Sequence, residues 1–198
     1  MSATDRNRNA YLGVSAIDAR NDATLYKPGE LGTEIPDVVS DRIFKIVQVD
    51  SGCTASTGTG IVAAAQLAFW KDKTNSLVTN DATQANAVNA PTNGWGNGGA
   101  ITLDARNFVA GVFTTAVTAG YYTNLLRRSN QGAGYAVKAA VGGTYNAGVM
   151  LVANTGTAAD ATSVAAGTAP TAKTIGVVLA NRNGSGNVPC WVNVHEED

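Results

Sequence analysis

The chain ends in His195-Glu196-Glu197-Asp198, an imidazole followed by three carboxylates. These are the groups of acid–base and metal chemistry, and His195 is the single histidine of the protein. A catalytic imidazole needs a held geometry and an orienting partner, and a specific metal site needs ligands fixed in place. Four consecutive terminal residues read instead as a solvated tail, so no metal site is expected. Gly94-Trp95-Gly96-Asn97-Gly98-Gly99 fits the G-x-G-x-x-G pattern of dinucleotide sites. Such a site needs a strand before it and a helix N-terminus after it. Here no apolar strand leads in, and Ala100–Asp104 reads as a strand. The segment reads as a loop with Trp95 free to pack, and no cofactor is expected. Cys53 and Cys190 lack metal-ligand spacing and are expected as free thiols in a chain made in a cytoplasm. Asn183-Gly184-Ser185 is a formal glycosylation sequon, but the opening Met1–Ala16 lacks the apolar run of a signal peptide. Arg127-Arg128 offers two guanidinium groups for acidic partners on a neighbour, or a solvated turn. No Ser, Cys or Lys has a recognisable nucleophile setting, so no catalytic residue is assigned and enzyme activity is not expected.

Composition points away from chemistry altogether. Of 198 residues, 44% are hydrophobic, enough for a core, and only 15% are charged, well below the usual quarter. The 14 Lys and Arg nearly balance the 15 Asp and Glu. A nucleic-acid partner would need a basic stripe, so none is expected. No window carries the 18 or so apolar residues of a membrane span, so no membrane partner is expected. Such a weakly charged surface is poorly protected against association and suits a protein covered by neighbours.

The elements that must position any site are short strands. The 22 glycines, with abundant Ala and Thr, favour strands and turns over long helices. Strands are expected at Arg42–Asp50, in the second half of Gly60–Trp70 with Leu67 and Phe69 on one face, and within Ser76–Asp81. Further strands are expected at Asn107–Thr115, Tyr121–Leu126, Val149–Ala153, Thr174–Ala180 and Val188–Val194. Asn183-Gly184 signals a tight turn between the last two. Asp160–Ala166 reads as a short helix capped by Asp160, or as part of a loop. The frequent turns argue for an all-β chain, a compact β-barrel or β-sandwich.

Residues 1–40 differ from the rest. Arg20–Asp41 carries Pro28 and Pro36 with scattered apolar residues, Leu25, Tyr26, Leu31 and Ile35, at no helical or strand period. This reads as an extended N-terminal arm, either a solvated tail or a strap whose spaced apolar residues dock on a neighbour. Residues 41–198 form the β-rich domain, divisible into modules of about 41–105 and 106–198.

The order of the C-terminal half carries a resemblance. Phe108–Ala140 reads as a strand, a Thr-Ala-Gly turn, an aromatic strand and a short Val-Lys-Ala-Ala strand. An apolar run follows Gly148, then a Thr/Ala-rich stretch, then Ile175–Ala180 and a last strand. Over Phe108–Val194 this order and composition are similar to the small β-rich proteins that decorate or cement the heads of tailed bacteriophages. Leu67–Asp81 resembles related virion β-modules. The resemblance implies a β-tulip-like fold, assembly as a homotrimer, the major capsid protein as partner, and a place on the virion surface after synthesis in the host cytoplasm. Leu25, Tyr26, Leu31, Ile35, Trp95, Arg127 and Arg128 are then the candidate subunit and capsid contacts. Small residues let backbones approach closely, and Thr and Asn supply hydrogen bonds without the desolvation cost of charge. The stretch between Ala153 and Thr174 is accordingly expected to be a loop that lies against a surface, or a plain connector. A tail-tube, fibre or head–tail component is the second reading. A carbohydrate-binding module is the third, with Trp70, Trp95, Trp191, Tyr121 and Tyr122 as stacking platforms.

Overall fold

The computed structural model describes residues 30–37, 40–53, 61–81, 109–132, 134–154, 159–164, 174–184 and 186–194. Every regular element among them is a β-strand, so the chain is all-β as its turn-rich composition implies. The first group is β1 (Glu34–Asp37), β2 (Arg42–Val49), β3 (Ile61–Val62), β4 (Leu67–Asp72), β5 (Leu77–Thr79), β6 (Val109–Phe113), β7 (Val117–Thr118) and β8 (Tyr122–Arg128). The second is β9 (Tyr135–Ala139), β10 (Thr144–Tyr145), β11 (Met150–Ala153), β12 (Ala161–Ser163), β13 (Thr174–Val178), β14 (Arg182–Asn183) and β15 (Gly186–Val192).

The first group forms a sheet in the order β1-β2-β5-β4-β6-β8, and β8 pairs back onto β2. Five strands thus close into a ring, with β1 attached outside it. The second group contains a closed barrel in the order β11-β12-β9-β15-β13. The two short pairs β10–β14 and β3–β7 stand apart from these sheets.

Side-chain alternation sorts the apolar residues into two clusters. Val47 and Val49 of β2, Ala68 and Trp70 of β4, Val78 of β5 and Leu125 of β8 meet inside the first ring. Their neighbours in sequence face the other way. Phe44, Leu67, Phe69 and Leu126 join Val137, Leu151, Ala161, Ile175, Val188 and Cys190 of the second barrel in one continuous core. β4 is therefore buried on both faces, which explains its unbroken apolar run, Leu67–Trp70. In β6 the alternation breaks. Val109 and Val112 belong to one cluster, Ala110 and Phe113 to the other. The register shifts opposite Ala68 and Phe69, as a one-residue bulge requires. Gly111 sits at this bulge because a Cβ there would stand 2.7 Å from the Leu126 carbonyl oxygen.

Four expectations change. The sheet membership turns over at 129–134, since β6 and β8 belong to the first ring, rather than near residue 105. The last part of the arm, Glu34–Asp37, is β1 and pairs antiparallel with β2 of its own chain. It is an edge strand guarded by charge and by Pro36, which has no N–H to offer. The segment starting at Asp160 is a strand and no helix: Ala161–Ser163 pairs with β11, and Ala161 is fully buried. The connection from β13 to β15 is also longer than one tight turn, because Arg182 and Asn183 leave it to pair with β10.

Candidate functional site

The contact residues expected from sequence do not come together. Leu25, Tyr26 and Trp95 lie outside the described residues, as does His195. Leu31 is half-buried in the turn before β1, where the Gly32 N–H donates to the Ile46 carbonyl at 2.8 Å. Ile35 lies in β1 opposite Phe44. Arg127 and Arg128, adjacent in sequence, point opposite ways, as alternation in a strand demands. Arg127 is only 4% exposed and donates to the Ala110 carbonyl at 2.5 Å, with Glu34 4.0 Å away. It serves its own fold and is withdrawn from the surface candidates. Arg128 is exposed and pairs with Asp41 at 3.1 Å. Among the aromatic candidates Trp70 is buried beneath Lys45, which removes it as a stacking platform. Trp191 and Tyr122 are half-buried and Tyr121 is 41% exposed.

Two polar clusters that the sequence reading missed hold the structure together. The first gathers at the end of β5. The Cys53 thiol donates to the Asn80 carboxamide oxygen at 2.6 Å and accepts from the Asn80 N–H at 3.4 Å. The Asn80 amide nitrogen donates to the Gln66 side-chain oxygen at 3.2 Å, which also accepts from the Ala63 N–H at 3.1 Å. Nearby, Lys71 pairs with Asp50 at 2.6 Å. Burial pushes the Cys53 thiol up from its ordinary pKa, and the carboxylates of Asp50 and Asp81 add to the rise. A thiol held protonated is a poor nucleophile, so Cys53 acts here as a buried hydrogen-bond donor. Cys190, deep in the shared core, is pushed up by burial to about 12. Both cysteines are unbridged.

The second cluster closes a weak seam. β12 meets β9 in parallel through one residue pair, Ala161↔Ala139. The first ring reinforces this place. The Lys138 N–H donates to the Ala65 carbonyl at 2.8 Å, and the Leu67 N–H donates to the Ala159 carbonyl at 2.9 Å. The side chains of Lys138 and Asp160 pair across the same seam at 2.8 Å. Ala65 takes a left-handed φ of +68° to present its carbonyl there, a conformation that costs a non-glycine residue about 1–2 kcal/mol. Five residues of the expected surface loop between β11 and β13 are thus not free to meet a neighbour: Ala159–Ser163 is built into the barrel of its own chain.

Neither cluster has a sequence signature, because the partners are far apart in the chain. Cys53 and Asn80 are 27 residues apart, and no motif spacing joins them. The signal that existed was compositional: Gln66 and Asn80 are carboxamides flanking apolar runs. Among the described residues no group of three or more His, Cys, Asp or Glu side chains is placed to hold a metal ion. Val141 is the most exposed large apolar side chain described, at 83%. It stands in the turn between β9 and β10. No protein-family model matches the chain, and no curated protein matches it.

Proposed function

We propose that the protein is a structural component of a tailed-phage virion, binding the outer face of the head through its major capsid protein and stabilising it as a homotrimer. The reading rests on the resemblance of Phe108–Val194, in order and composition, to head decoration proteins. One structural observation supports it. Two closed strand rings share a core through Phe44, Leu67, Phe69 and Leu126, which gives a firm body that meets partners through turns and loops. Small uncharged residues dominate those turns, so contacts rest on apolar burial and neutral hydrogen bonds. Arg127 and Arg128, the adjacent cations that could make ionic contacts, are engaged within the chain. In this role the protein performs no catalysis and binds no nucleic acid, cofactor or membrane.

The test is co-sedimentation of the full chain with heads assembled from the major capsid protein of the same genome, across a salt series. The protein is expected to stay in the pellet through a tenfold rise above about 0.1 M ionic strength, where the screening length is about 10 Å. Chaotropes, which weaken apolar burial, remove it sooner. Release by moderate salt would refute the neutral interface, and failure to pellet at any salt would refute the function. A ring-sized soluble assembly would favour a tail-tube component.

A further inference from the structure

Arg182 and Asn183 form β14, whose strand partner is β10, and residues 181–184 are all exposed. The neighbouring Asn181 carboxamide is held, since its Oδ1 accepts from the Ala147 N–H at 2.8 Å. The Asn183 carboxamide has no hydrogen-bond partner among the described residues. Gly184 follows it with φ +88°, and a Cβ added there would meet nothing within 4 Å. A side-chain amide with no partner among the described residues therefore precedes a glycine, which has no side chain to hinder attack on that amide by its nitrogen. We propose that Asn183 is a site of spontaneous deamidation, a chemical clock set in the β10–β14 pair.

The step uses water alone. The Gly184 amide nitrogen loses its proton to solvent base and attacks Cγ of Asn183. The new N–Cγ bond closes a five-membered imide, and the Cγ–Nδ2 bond breaks as ammonia leaves. Water then adds to either imide carbonyl, and the ring opens to aspartate or isoaspartate. Among the described residues no other asparagine is followed by glycine; Asn93-Gly94 and Asn97-Gly98 lie outside them. Asn80 and Asn124 are buried and are followed by Asp81 and Leu125, whose side chains hinder the attack.

One contact opposes the reaction. The Gly184 N–H donates to the Gly143 carbonyl at 3.2 Å, the long end of the usual range. β10 and β14 share only the pairs Thr144↔Asn183 and Tyr145↔Arg182. Opening so short a pairing costs far less than global unfolding, so the nitrogen is released repeatedly in the native state. The product puts a carboxylate beside Arg182. As isoaspartate it also adds an atom to the backbone and displaces β14 from its register with Thr144.

The experiment incubates the folded full chain at mildly alkaline pH, with the urea-unfolded chain in parallel, and maps peptides over time. The Asn183 peptide is expected to gain the amide-to-acid mass at a rate within severalfold of the unfolded chain, with isoaspartate in excess. The Asn124 peptide stays unchanged while the protein is folded. Asn183→Gln, which cannot close the five-membered ring readily, abolishes the gain and keeps the thermal melt of the parent. An intact Asn183 in the folded chain, while the unfolded chain converts, would overturn the proposal. Equal conversion at Asn181 and Asn183 would overturn it too, because exposure alone would then set the rate.

Discussion

The Leu67 amide donates to the Ala159 carbonyl across 2.9 Å, joining the first residue of β4 to the residue before Asp160. Ninety-two positions separate them in the chain (159 − 67). The bond ties the first strand ring to the seam of the second barrel, beside the Lys138–Asp160 ion pair. The side chain of Leu67 and that of Ala159 lie in the same core cluster. The two rings are thus expected to unfold as one unit.

Phe69→Ala tests that unity. Phe69 is fully buried in the shared core, so its truncation is expected to cost about 3–5 kcal/mol. Calorimetry should show a single transition moved to lower temperature. Two separated transitions, with only one displaced, would show the rings to be independent.

Glycine at 176 should be far less replaceable than glycine at 148. A Cβ at Gly176 would stand 2.0 Å from the Trp191 carbonyl oxygen and 2.7 Å from the Cys190 sulfur. Backbone cannot yield that much without parting β13 from β15. Gly148 has open space and a φ of +85°. Gly148→Ala should therefore cost only the left-handed strain, about 1–2 kcal/mol, and Gly176→Ala at least about 3 kcal/mol, the upper end of ordinary overpacking. Urea melts of the two variants make the comparison, and equal midpoints would contradict it.

The thiols predict an alkaline loss of stability. Burial holds the Cys190 pKa at about 12 against an ordinary 9.0, and burial raises Cys53 in the same direction. The native state keeps these protons where the unfolded chain releases them. Their contribution is complete below the unfolded value and falls as pH rises towards the folded one. For Cys190 that window runs from 9.0 to about 12, with a slope of up to about 1.4 kcal/mol per pH unit. Melting temperature should drop across it, and Cys190→Ala should flatten the drop. Thiol reagents should leave both cysteines untouched in native protein and label both after unfolding. Rapid native labelling would mean that the core is open.

Neighbouring arginines should respond in opposite ways. Arg127→Ala leaves the Ala110 carbonyl without its buried donor, a loss of about 1–3 kcal/mol. Arg128→Ala removes an exposed pair with Asp41, worth about 0–1 kcal/mol. Chemical denaturation of each variant gives the comparison, and a larger loss at Arg128 would reverse the assignment.

Strand positions were legible where alternation is local. β2 lies at Arg42–Val49, where the β-branched run begins, and β4 carries Leu67 and Phe69 on one face as expected. β12 was not legible: Ala161-Thr162-Ser163 has no apolar period, and it is a strand because β11 and the seam beside it need a partner. In sequence Asn183 belongs to a turn signal for the same reason, and β14 takes strand form only against Thr144 and Tyr145. Of the candidate contacts, Arg127 misled because a guanidinium looks alike in sequence whether a carbonyl or solvent receives it.

The sequence by itself determined the all-β class, the longer strands and the turn glycines, since each depends on a few adjacent residues and on the period of 2 that every strand shares. Only the tertiary structure decided that β8 returns to β2, that β6 and β8 belong with the first ring, and that Asn80 receives the Cys53 thiol. Those are choices among partners far apart in the chain. They are settled by which closure buries both faces of β4 and satisfies the polar groups beside it, a sum over the whole molecule that no short stretch contains.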